Sequence, residues 1–262
     1  MELEITRAFP TLIGRLQVPD ADCINRDLEG LILREEGEYS SLGRSNIGGW
    51  HSRPDLLSRQ VPAVSALNSW LSWGLRRTIS ASIGTDGYKG TLSISGWATI
   101  CRTGAYHAPH SHPDSAWSGV YYIRAGTDRP ERPLSGVLEF LDPRAGVDAV
   151  TAPGDPYGEP FRVRPQNGLL VLFPSWLYHW VHPYTGQTPR IAISFNATPS
   201  PIVRSQGPRL ESWTKASGGA ATTNEPSTIA CLNPISIPQD KRPCGLADYP
   251  NLCFEDSQPQ QW

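Results

Sequence analysis

Near Tyr88 the chain changes period, and that change limits its fold more than any other feature. In TLSISGWATICR, Leu92, Ile94, Gly96, Ala98 and Ile100 fall on one side of an extended backbone. Ser93, Ser95, Trp97, Thr99 and Cys101 fall on the other, which is the two-residue alternation of a strand between unlike surroundings. SGVYYI, SGVLEFLD, FRVRP, GLLVLFP and RIAISFNA follow as further short strands, punctuated by Gly, Pro and Asp. Strands of this length with turn residues between them close into a sandwich or barrel of antiparallel sheets.

Upstream the period is helical. Cys23, Ile24, Leu28, Leu31 and Ile32 recur at helical spacing within residues 21–34. Val64, Leu67, Leu71, Leu75 and Ile79 do so within 61–83, where Pro62 suits a first helical turn. An opening strand is expected over Ile5–Val18, broken near Pro10, and Ser40–Leu56 reads as irregular. The expected fold is therefore mainly β with flanking helices: a double-stranded β-helix (a jelly-roll, cupin-like barrel) buttressed by the N-terminal helices, over residues 1–200. Residues 201–262 form a C-terminal extension that would wrap the barrel, lid a pocket or stay disordered. Its Lys215–Thr228 stretch is small and polar, as in a mobile linker.

Composition narrows the function classes. A net charge of −2 over 262 residues, with no Lys/Arg run, argues against nucleic acid as a partner. No stretch reaches the roughly 20 apolar residues that span a membrane. The opening MELEITRAFPTLIGRL lacks the form of a secretory signal. Cys23, Cys101, Cys231, Cys244 and Cys253 are odd in number with no C-x-x-C pair, which fits reduced thiols and a cytoplasmic setting.

The chemistry lies in two segments. HAPHSHPDSAWSGVYYI holds His112 and Asp114, two residues apart and so on one face of an extended backbone. LFPSWLYHWVHPYTGQTPRIAISFN holds His179 and, eleven residues later, Arg190. His112, Asp114 and His179 compose the two-histidine, one-carboxylate face that binds non-haem Fe(II) and serves as the catalytic set. Arg190 interrupts an apolar strand, and a buried guanidinium needs a partner. The far carboxylate of 2-oxoglutarate would supply one, with Ser194 and Asn196 on the same strand face to assist. The H-x-D tripeptide alone is weak evidence; the ordered set is far stronger. His110 and His112 also form H-x-H, so a three-histidine dioxygenase that needs no 2-oxoglutarate stays open, as does a metal-free binding module. His107 and His110 are expected at the pocket mouth, with Trp97, Tyr106 and His110 meeting substrate. His182 should point away from His179, and His51 should be structural.

The segments AFPTLIG, SNIGGWHS, HSHPDSAWSGVYYI, GVLEFLDPR, GLLVLFPSWLYHWVHP and RIAISFN, from about Phe9 to Asn196, resemble the 2-oxoglutarate/Fe(II) oxygenases of bacteria and their phages. The resemblance implies a double-stranded β-helix that uses Fe(II), 2-oxoglutarate and O₂. It also implies His112 and His179 as metal ligands and Arg190 as the 2-oxoglutarate clamp. The expected reaction is hydroxylation, or oxidative dealkylation, of an amino-acid-derived small molecule, with release of succinate and CO₂.

Overall fold

The computed structural model describes residue 3 and residues 9–127, 129–151, 153 and 160–200. The extension at 201–262, its 215–228 stretch and the start of the expected first strand lie outside the described residues. Strand β1 spans Gly14–Gln17, helix α1 Ala21–Glu38, β2 Asn46–Ile47, β3 Trp50–His51 and helix α2 Pro62–Ile83. Then come β4 Leu92–Cys101, β5 Tyr106–His110, β6 Trp117–Arg124, β7 Leu138–Phe140, β8 Phe161–Val163, β9 Leu169–Pro174, β10 His179–Val181 and β11 Arg190–Pro199. Both helices form where the apolar spacing placed them. Pro62 occupies the first turn of α2, and Gly84 ends that helix at φ 67°, a left-handed conformation suited to glycine.

The strands assemble into two antiparallel sheets, β1-β9-β6-β11-β4-β3 and β2-β5-β10-β7-β8, the two faces of a double-stranded β-helix. Alternation along the central strands sorts their side chains into two layers. Ala98 and Ile100 of β4, Tyr121 and Ile123 of β6, Leu170 and Leu172 of β9 and Ile191, Ile193 and Phe195 of β11 pack against α1 and α2. Val120, Tyr122, Val171, Phe173 and Ala192 point the other way, into the space between the sheets, where they meet Leu138, Phe140, Val163 and Val181. The six-stranded sheet is thus covered on both faces, which is why GLLVLFP is apolar throughout. Gly74 of α2 lets the helix ride close to β9, since a Cβ there would lie 3.0 Å from Leu172 Cδ1.

Cys101 is a buried free thiol, whereas Cys23 is disulfide-bonded, so the expectation that all five cysteines are reduced does not hold for Cys23. The helical buttress carries much of the core: Leu28, Ile32, Leu67, Leu71 and Leu75 are fully buried. Leu71→Ala should lower unfolding free energy by about 2–5 kcal/mol, read from denaturant titration.

Candidate active site

His110 ends β5 and His179 begins β10, and antiparallel pairing sets the two residues directly opposite each other. Their rings are 4.4 Å apart between centroids. His112 stands two residues beyond the end of β5, with its amide donating to Ser175 O at 2.8 Å. Its ring lies 5.0 Å from that of His110 and 5.3 Å from that of His179. Taking one ring nitrogen from each, the three donor atoms all lie within 4.8 Å of one another.

Electrostatics keep these imidazoles neutral, the form that binds metal. Burial, reinforced by neighbouring histidines, pushes His179 down to about 3 and His112 down to about 4. His110 is also lowered by burial. His179 donates Nδ1–H to Leu177 O at 2.9 Å, and His110 donates Nδ1–H to Ala108 O at 2.7 Å. Each bond fixes the tautomer that leaves Nε2 as the acceptor nitrogen, and that of His110 also meets Ser45 Oγ at 3.4 Å.

Asp114 does not join this cluster. The amide of Ser115 donates to His112 O at 3.3 Å, closing a turn in which Pro113 and Asp114 are the central residues. The same-face relation of residues two apart needs an extended chain, and here the chain turns. Asp114 is exposed and lines the mouth of the chamber instead. His110, expected among the substrate contacts, lies within the histidine cluster. Tyr106 does not line the chamber; it neighbours His107 on β5, and adjacent strand residues face opposite ways.

The chamber holds about 560 Å³ and is lined by all three histidines together with Trp97, Arg190, Ser194 and Asn196. The even residues of β11, from Arg190 to Asn196, all border it, as their parity required. Arg190 is only 2 % exposed. It forms no ion pair with any described residue, its Nε has no hydrogen-bond partner, and its Nη1 meets only the Cys101 sulfur at 3.8 Å. Its guanidinium lies 5.0 Å from the centroid of the Tyr122 ring. Tyr122 Oη meets no described partner at hydrogen-bond geometry; burial pushes that phenol's pKa up, and the adjacent Arg190 guanidinium pulls against the rise. Asn196 Oδ1 accepts from Ser118 at 2.8 Å, which holds that amide in place.

Sequence reasoning did not place His51 or Tyr122 at the chamber, which both border, and it expected His107 only at the mouth. His51 stacks on Trp97 at 5.6 Å. His107 is three residues from His110 and would face away from it on a regular strand. Pairing of β5 with β10 is irregular between them, because His179 opposes His110 while Val181 opposes His107. The extra residue is a bulge that turns both histidines inward, and Pro109 was its signal. Burial and the nearby Arg190 charge push His107 down to about 3. His182 faces elsewhere, as expected: its Nε2 lies 3.0 Å from Glu139, which also binds Arg162 and Trp180.

The histidine and arginine segments lie within residues 95–196, which match the family model described as "Putative 2OG-Fe(II) oxygenase". Over that segment the chain is similar to the 2OG-Fe(II) oxygenases. It is an enzyme of the 2-oxoglutarate-dependent type, and its cofactors are Fe(II) and 2-oxoglutarate. The donor set fits this: clustered neutral imidazoles suit Fe(II), and a buried guanidinium without an ion pair among the described residues suits a dicarboxylate. No curated protein sequence matches the chain. Among solved structures, a Pseudomonas putida prolyl-4-hydroxylase aligns with TM-score 0.51 and 18% identity over 72% of this chain and 92% of its own. A prolyl hydroxylase from Trichoplax adhaerens, in complex with a hypoxia inducible factor peptide fragment, aligns with TM-score 0.49 and 15% identity, covering 71% and 83% of the two chains. HygX from Streptomyces hygroscopicus, with nickel and 2-oxoglutarate bound, aligns with TM-score 0.47 and 13% identity over 72% and 84%. At these identities the likeness concerns the fold.

Glu139 pairs with Trp180 across β7 and β10 and so helps to seat the strand that carries His179. Burial alone would raise its pKa, but hydrogen bonds from Arg162, His182 and Trp180 outweigh that and hold it below the usual carboxylate range. A carboxyl depressed on folding stabilises fully above its unfolded pKa, near 4.3, and that stabilisation fades as pH falls through the folded value. Glu139→Gln should cost about 1–3 kcal/mol at pH 7 and flatten the loss of stability on acidification, as checked by denaturation at pH 7 and at acid pH.

Proposed function

We propose that this oxygenase oxidises a C–H bond of a small, amino-acid-derived metabolite, with hydroxylation as the usual outcome and dealkylation where the carbon bears nitrogen or oxygen. The observation that carries the co-substrate's place is Arg190, a buried guanidinium without a carboxylate, in the same chamber as the histidine cluster. Leaving such a charge unpaired is costly, and the far carboxylate of 2-oxoglutarate relieves that cost. Arg190 offers it a planar fork, and the Tyr122 phenol stands beside the guanidinium as a further donor. Ser194 and Asn196 extend the polar strip along β11 towards the mouth.

His112 and His179 would hold iron through a ring nitrogen each. Bound iron and 2-oxoglutarate supply the oxidising chemistry, in which O₂ is consumed, succinate and CO₂ are released, and a substrate C–H bond is oxidised. The protein's own work is to orient and to exclude water. Val120, Leu138 and Phe173 give the chamber apolar walls, and Trp97 lies beside His112, with ring centroids 6.0 Å apart, where it can guide a substrate. At the mouth, Arg44 and Asp114 are exposed and neither is ion-paired with a described residue. One cation and one anion on the same rim suit the carboxylate and ammonium of an amino acid.

Anaerobic titration of the Fe(II) protein with 2-oxoglutarate should produce the weak visible charge-transfer band of the chelate. Arg190→Ala should weaken that binding by about 100-fold or more. An iron-loaded, folded protein that shows no band would overturn the co-substrate assignment. A succinate-release screen of free amino acids and their derivatives against peptides then tests the substrate class, and turnover only with peptides would refute the small-metabolite reading. Thermal melts provide a separate check. Arg190→Met should melt higher than wild type without 2-oxoglutarate and lose the rise in melting temperature that 2-oxoglutarate gives wild type.

A further inference from the structure

We infer that this chain holds its iron with three imidazoles, those of His110, His112 and His179, and with no carboxylate, while keeping the Arg190 clamp for 2-oxoglutarate. The inference rests on the reading of the chamber as an Fe(II)/2-oxoglutarate site and goes beyond it by fixing the donor set. Among the described residues, this trio is the one group of three or more His, Cys, Asp or Glu side chains whose donor atoms come within 4.8 Å of one another.

Three further observations separate His110 from a bystander and Asp114 from a ligand. First, His110 and His179 sit opposite each other in the β5–β10 pair and are held alike. Each donates Nδ1–H to the carbonyl two residues before it, Ala108 O or Leu177 O, which leaves Nε2 as the acceptor; that of His110 also meets Ser45 Oγ at 3.4 Å, a weak contact a metal would displace. Such outer hydrogen bonds are how proteins orient metal-binding imidazoles. Second, His110 and His112 bear the same-face relation that their spacing allows, whereas the turn closed between His112 and Ser115 carries Asp114 outward. Third, Asp114 is exposed and makes no hydrogen bond or ion pair with a described residue, so nothing orients its carboxylate towards a metal.

The donor set changes the charge of the centre. Three neutral ligands leave the full 2+ charge of iron to meet the dianionic co-substrate, giving a neutral assembly where a carboxylate ligand would give an anionic one. An all-imidazole set also favours Ni(II) and Zn(II) over Mn(II) more strongly than a set with a carboxylate does.

Metal binding by the full chain tests this directly, with anaerobic calorimetry of Fe(II), Ni(II) and Mn(II) on folded wild type, His110→Ala, His110→Asp, His112→Ala and Asp114→Ala. We expect His110→Ala to weaken Ni(II) binding by roughly 100-fold, as His112→Ala does, and Asp114→Ala to stay within about threefold of wild type. His110→Asp should retain metal and narrow the Ni(II)-to-Mn(II) preference. If Asp114→Ala loses metal like His112→Ala, the inference is overturned, whatever His110→Ala does. If His110→Ala misfolds, His110→Asp and Asp114→Ala decide the matter through the selectivity shift and the retained affinity. Wild type that binds metal at the three histidines but gives no 2-oxoglutarate band would instead refute the co-substrate reading and leave the donor set standing.

Discussion

The ten-residue antiparallel pairing of β11 with β4, from Arg190 opposite Cys101 to Pro199 opposite Leu92, is the constraint on which the molecule depends. On its other side β11 pairs with β6, so it lies at the centre of the six-stranded sheet. A strand held on both edges has no freedom to slip, and a slip of one residue would exchange its two faces. Register therefore fixes two things together. Ile191, Ile193 and Phe195 are committed to the helical buttress, and Arg190, Ser194 and Asn196 are committed to the chamber.

Rigidity on that sheet contrasts with the other one, where His110 and His179 sit on short elements. β5 has five residues and β10 has three, and their pairing is interrupted. Side-chain chemistry compensates. Glu139, bound to Arg162, Trp180 and His182, ties β7, β8 and β10 together just beyond His179. On the proposed reading the anionic co-substrate would be gripped by the sheet that carries Arg190 and the metal by the more irregular one, with the substrate in the gap between two differently built walls.

Much of this was legible in the sequence. The alternation from Leu92 to Cys101 identified both faces of β4, and the apolar spacing located both helices. Arg190 in an apolar strand pointed to a buried charge in need of an anion. What failed did so where the backbone leaves regular geometry. The same-face argument for His112 and Asp114 assumed an extended chain, but Pro113 sits in a turn. No strand was read over β5, so the bulge that turns both His107 and His110 inward was not foreseen, and Tyr106 was placed with the substrate contacts. Tyr122 was not singled out, because nothing in a single sequence marks which phenol will border a buried guanidinium.

The bulge in β5 has a wider meaning. A strand delivers to one side every second residue, so two histidines three apart belong to opposite sides until one residue is slipped into the ladder. That single extra residue acts as a phase shifter. It allows HAPH, four letters long, to send both of its imidazoles into one compartment. A homologue that lacked the insertion could keep the hydrophobic profile of β5 and both histidines in its alignment, and yet present one of them to the wrong side of the wall.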